Sequence, residues 1–133
     1  MNDVFADTFY FIALVGPDGP QRRKAAAATV NPSGRLVPTA WILTELANFL
    51  HRVNDRPAFL QIYRTLTTDR SVAILEPEQR LFDRGIRLYE NRPDKEWSLT
   101  DCVSFIAMEE LGVTDALTGD HHFEQAGFKA LLK

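Results

Sequence analysis

Apolar residues along this chain follow two rhythms. Short runs at Val4-Phe5-Ala6, Leu36-Val37-Pro38, Ser71 to Leu75, Asp115 to Leu117 and Phe128 to Leu131 end within a few residues in polar or turn-forming positions, which predicts strands. Longer stretches with helical spacing lie between them. Thr8 to Val15 reads as a short helix, and the alanine-rich Gln21 to Val30 as another, stopped by Asn31-Pro32-Ser33-Gly34. Thr39 is placed to cap a helix through about Val53, whose apolar face would carry Trp41, Ile42, Leu46, Phe49, Leu50 and Val53. Arg56 to Thr68 is amphipathic, Pro77 opens a helix to about Tyr89, Ser98 opens one to about Leu111, and a short helix starts at His121.

Brief strands alternating with helices, with no hairpin turns, predict a parallel sheet covered on both faces, hence an α/β fold. No repeat, low-complexity tract or linker interrupts the pattern, so residues 1–133 read as one domain. The apolar runs fall well short of the ~20 residues that span a bilayer, and Met1-Asn2-Asp3 is not a basic leader, so the expectation is a cytoplasmic protein with no membrane partner. The single cysteine, Cys102, excludes an internal disulfide and a cysteine-rich metal site. A net charge of -3 argues against holding nucleic acid by a global basic field, so a polyanion would need metal ions or clustered arginines at the contact.

That requirement directs attention to the acids. Ligands of open parallel sheets bind beyond the carboxyl ends of the strands, where Asp7 follows the first strand and Asp120 the fourth. Each could equally be a helix cap. Glu45 has Trp41, Ile42, Asn48 and Phe49 as its helical neighbours, which sets it beside the buried stripe. Asp101 fits a capping box in Ser98-Leu99-Thr100-Asp101, yet projects toward the face of Ser104, Phe105 and Met108. Four carboxylates gathered in one cleft repel one another unless a cation sits among them, and an all-oxygen donor set suits Mg2+ or Mn2+. Such a metal would orient water and stabilise charge on a phosphoryl oxygen.

The segments "VFADTFYFIAL", "WILTELANFL", "WSLTDCVSFIAMEELG" and "ALTGDHHFEQAGF" together resemble PIN-domain proteins of the toxin type found in bacterial toxin-antitoxin pairs, the VapC-like group. The last two segments carry the more specific pattern: a threonine and aspartate opening a helix, then threonine, any residue, aspartate, any residue, histidine, phenylalanine. The resemblance implies a five-stranded parallel sheet in order 3-2-1-4-5 and a divalent-metal-dependent endoribonuclease. Its acidic positions fall on Asp7, Glu45, Asp101 and Asp120, the implied catalytic residues and ligands of Mg2+ or Mn2+. Thr8 and Thr118 match positions that support the site through hydroxyls, and Ser104 is grouped with them. The implied partners are an RNA substrate, a cognate antitoxin docking on an apolar groove near helices 21–30 and 39–69, and a second copy of the chain. Phe9 departs from the family pattern, which often has serine or asparagine two places after the first aspartate.

Other features read more plainly. His121 and His122 lack a spaced histidine partner, so His122 is expected to be structural, and Cys102 to pack in the core. Arg22, Arg23 and Lys24, like Arg52, Arg56, Arg80, Arg84 and Arg87, read as solvated helix faces rather than RNA contacts. A receiver-type signalling domain would need an aspartate at the third strand and a lysine at a later strand end, whereas the third strand ends at Leu75-Glu76 and no lysine follows the fourth. A non-catalytic PIN scaffold that binds RNA or a partner protein remains the alternative.

Overall fold

The computed structural model describes residues 2–29 and 34–133, so the predicted stop at 31–33 and the last residue of the second helix lie outside the described residues. Strand β1 (Val4–Ala6) runs into α1 (Thr8–Val15), followed by α2 (Pro20–Thr29), β2 (Leu36–Val37), α3 (Ala40–Phe49) and α4 (Arg56–Thr68). The chain continues through α5 (Gln79–Asn91), α6 (Leu99–Leu111), β3 (Asp115–Leu117), α7 (His121–Gln125) and β4 (Lys129–Ala130). All strand pairs are parallel, in the order β2-β1-β3-β4. The expected α/β class is therefore the observed one.

The sheet has four strands among the described residues rather than the five expected, and the missing one is Ser71 to Leu75. That segment runs beside β2 but touches it only through two isolated parallel bridges, Leu36 with Val72 and Thr39 with Leu75. The N–H groups of Leu36 and Ala73 bond across to Ser71 O and Leu36 O at 2.8 and 2.9 Å. Those of Leu75 and Ala40 bond to Pro38 O and Leu75 O at 2.9 and 3.2 Å. The bond that would join these two pairs has to come from the nitrogen of residue 38, and proline has no N–H to give. One imino acid thus splits a five-residue edge strand into two contacts.

The predicted helix from Thr39 to Val53 ends at Phe49 instead. Thr39 does cap it, its hydroxyl accepting from the Ile42 N–H at 3.1 Å. It cannot run on into α4, because Pro57 in a continuous helix would clash with the preceding turn and lack its own N–H. Phe49 and Val53, expected in the core, are 57 % and 76 % exposed, and Trp41 is half-buried with its ring stacked on Phe82 at 6.3 Å. Ile42, Leu46 and Leu50 do face the core.

The core lies between the sheet and its helices. Phe105 of α6 meets Phe123 edge-on at 5.0 Å and Trp97 at 5.0 Å, while Phe123 also reaches Phe5 of β1 at 6.1 Å. This aromatic cluster fixes α6 and α7 against the middle of the sheet, which is what sets Asp101 and Asp120 relative to β1. Helix α5 approaches α6 closely because Gly85 carries no side chain: a Cβ there would lie 2.5 Å from Val103 Cγ2. Helix α6 ends at Gly112, whose φ of 67° places it in the left-handed region that glycine enters freely. Cys102 is buried, as expected, and burial pushes its thiol up to about 11. No helix among the described residues is long and apolar enough to cross a membrane.

Candidate active site

The carboxyl edge of the sheet is where four chain segments deliver acids. Asp7 leaves β1 in extended backbone and is the residue before α1, yet its side chain caps nothing. It is 6 % exposed, and its carboxylate Oδ2 accepts the Thr118 hydroxyl at 2.8 Å. Thr118 follows β3, so this bond ties the two central strands together at their ends. The same Thr118 oxygen accepts the Asp120 backbone N–H at 3.0 Å. One hydroxyl therefore orients both strand-end acids, using its hydrogen on Asp7 and a lone pair on Asp120.

Burial pushes Asp7 up to about 7, and the negative charges of Asp101 and Glu45 add to the rise against the lowering effect of Thr118. Asp101 is also raised, mainly by burial and further by Asp120. These couplings join all four predicted acids into one electrostatic unit, although they come from positions 7, 45, 101 and 120. Glu45 reaches the unit from α3, and its Oε1 accepts a hydrogen bond from the hydroxyl of Thr8, the residue after Asp7.

Asp101 and Asp120 answer a question the chain pattern leaves open, since each proves to be both a cap and a member of the cluster. Asp101 completes the capping box: the Ser98 side chain accepts its N–H at 3.0 Å, and Asp101 Oδ2 accepts the Ser98 N–H at 3.1 Å. Asp120 caps α7 by accepting the His122 N–H at 2.9 Å. Asparagine or serine could cap equally well. A cap on the sheet edge costs no extra residue when the acid is wanted there for its charge.

His122, expected to be structural, sits inside the cluster. Its Nδ1 lies 3.2 Å from Asp101 Oδ2 and 3.4 Å from Asp120 Oδ1. Backbone and ring of this one residue thereby hold two acids from different helices. Its place two residues after Asp120 was visible in the chain, but the approach of α6 was not. Ser104 is buried with its hydroxyl donated to Thr100 O at 2.8 Å, within its own helix, and makes no hydrogen bond to the four acids among the described residues. Arg80 and Arg84 both bind Glu110, which makes them an α5–α6 clasp rather than free cations.

Glu45 Oε1, Asp101 Oδ2 and Asp120 Oδ1 are each held by a protein donor, while the second oxygen of each carboxylate has no protein hydrogen bond among the described residues. Oriented carboxylates with an unused oxygen, mutually repelling and in part buried, are the donor set a hard divalent cation takes. Asp120, His121 and His122 also bring one potential ligand atom each within 4.8 Å of one another.

Residues 4–129 match the sequence model of the PIN domain. The chain belongs to the PIN-domain family. Among curated proteins none matches this PIN domain in sequence. Its fold is similar to the crystal structure of Mycobacterium tuberculosis VapC20, a sarcin-ricin loop cleaving toxin, with a TM-score of 0.84 at 20% identity over 94% of this chain and 95% of that one. FitAcB from Neisseria gonorrhoeae is similar at a TM-score of 0.66 and 17% identity, over 96% of this chain and 95% of that one.

Proposed function

We propose that this PIN domain is a divalent-metal-dependent endoribonuclease, the toxin of a toxin-antitoxin pair, with Asp7, Glu45, Asp101 and Asp120 as its ligands for Mg2+ or Mn2+. The observation that carries the reading is the convergence of four carboxylates at the sheet edge around Asp7, which is 6 % exposed and held by Thr118, with Glu45 tied to Thr8 and Asp101 to His122. Desolvation and two like charges work against the ionised form of Asp7, and the hydrogen bonds from Thr118 and the Thr8 backbone offset them only in part. A cation in the cleft would reverse that balance, which gives the arrangement a purpose that capping does not supply. The similarity in fold to a toxin that cleaves the sarcin-ricin loop favours RNA as the substrate.

The chain's own part in such a reaction is positional. Thr118 aims Asp7, Thr8 aims Glu45, and His122 holds Asp101 and Asp120, so the acids need no reorganisation as charge develops on a phosphodiester. A divalent ion bound there supplies Lewis-acid stabilisation of the phosphoryl oxygen and a water of lowered pKa. Purified protein should cut single-stranded or loop RNA, lose the activity in EDTA and regain it with Mg2+ or Mn2+. Full cleavage in EDTA would refute the metal reading, and RNA binding with no cleavage under any metal would favour the scaffold alternative.

The antitoxin, in this proposal, docks on the α3–α4 side, where Phe49, Val53, Leu60 and Tyr63 are exposed. Exposed aromatics grouped on adjacent helices fit an amphipathic segment laid across them, or a second copy of the chain. The double substitution Phe49→Asp and Val53→Asp should release a small co-purifying protein from the tagged chain in its native host while RNA cleavage persists. Retention of that protein would place the partner elsewhere. A halved particle mass by light scattering would show that the face joins two copies.

A further inference from the structure

Phe9 departs from the family pattern at the site, and it borders a hollow. The cavity is about 360 Å3 and is lined by Phe9, Pro20, Gln21, Lys24, Gly119, Leu132 and Lys133. Two of its walls adjoin the site along the chain: Gly119 immediately precedes Asp120, and Phe9 immediately follows Thr8, the residue that holds Glu45. The tip of the Phe9 ring is seated on Gly119: a Cβ built there would stand 2.5 Å from Phe9 Cζ and 2.8 Å from Cε1. A side chain at position 119 would drive the ring away.

We infer that this hollow receives one nucleobase of the RNA next to the scissile phosphodiester, with Phe9 as its stacking platform; the inference rests on the ribonuclease reading. Its size is at the lower end of small-molecule sites, enough for a single base. An aromatic ring offers any base a π-face, and single-stranded RNA is bound mainly by such stacking with cations on the backbone. The Gln21 amide offers both a donor and an acceptor to a base edge. Lys24 is the cation on this flank: its Nζ donates to Lys133 O at 2.9 Å, whereas the Lys133 ammonium is ion-paired with Glu124 at 2.8 Å. A positive group on this flank matters because the acidic cleft itself repels phosphates until metal enters.

The test uses single-stranded RNA oligonucleotides cut by the wild-type protein, each carrying one abasic nucleotide at successive positions around the cut. Phe9→Ser should raise Kd and KM about 10-fold or more with kcat nearly unchanged, and Phe9→Trp should restore binding. An abasic nucleotide at one flanking position should cost the wild type a similar factor and cost Phe9→Ser almost nothing. Lys24→Gln should weaken all oligonucleotides alike and lower the salt slope of binding by about one. Penalties of Phe9→Ser and of every abasic position that simply multiply would overturn the inference, as would a Phe9→Trp protein no better than serine. Should Phe9→Ser fail to fold, judged by its melt, the abasic series on wild type against Phe9→Trp decides the matter, since a wild type indifferent to every abasic position has no base pocket. Cleavage by wild type without any Phe9 effect would sink the pocket alone, whereas a wild type that neither binds nor cuts RNA would sink both readings.

Discussion

In EDTA at pH 8, Asp7→Asn is expected to melt above the wild type, and with Mg2+ or Mn2+ present it should fail to cut RNA that the wild type cuts. Asp7 titrates at about 7 in the fold against an ordinary value of 3.8, a rise of roughly three units at ~1.4 kcal/mol each. A carboxyl whose folded pKa is raised binds its proton more tightly when folded, so acid favours the fold. The penalty is absent below about pH 4, grows as pH rises toward 7, and is complete above that. Asparagine removes the charge but keeps an oxygen for the Thr118 hydroxyl, so the substitution should recover at most about 4 kcal/mol, at most roughly 15 °C in Tm for a domain of this size. The advantage should fade as pH falls to 4. Divalent metal should narrow it from the other side by stabilising the wild type alone, and more strongly above pH 7, where no proton competes at Asp7. Thermal melts from pH 4 to 8 with and without metal measure all of this. A variant that melts at or below wild type across that range would remove Asp7 as the strained group.

Asp120→Asn is expected to separate capping from catalysis. Asparagine accepts the His122 N–H as aspartate does, and the Asp120 N–H that binds Thr118 belongs to the backbone, so helix α7 should form normally. The lost charge should lower RNA cleavage on the order of 100-fold or more, since an ion bound by carboxylates contributes several kcal/mol to the transition state. It should also remove most of the rise in Tm that metal gives the wild type. Loss of cleavage with an unchanged metal response would mean that Asp120 contacts RNA or holds His122 rather than a cation. Wild-type cleavage and a wild-type metal response would make it a turn residue and nothing more.

The capping box at Ser98, the Thr39 cap, the strand-end placement of Asp7 and Asp120 and the α/β alternation were all legible in the chain, because each depends on residues within a turn of one another. The family motifs picked out the same four acids. What local pattern could not express is who meets whom across the fold. The ring of His122 reads as structural until α6 brings Asp101 to 3.2 Å, and Asp7 is an ordinary carboxylate until burial beside Asp101 and Glu45 moves it to about 7. Phe49 and Val53 follow a helical apolar stripe, but the helix stops at Phe49 and no element among the described residues covers them. Pro38 was in plain view as well. Whether its missing N–H mattered depended on the side of β2 it faced, and only the packing of Ser71 to Leu75 against that side turned a predicted fifth strand into two bridges. Sequence fixes such short-range chemistry because neighbours along the chain are always neighbours in space, while charge coupling, edge pairing and exposure depend on contacts that exist only once the whole domain has closed.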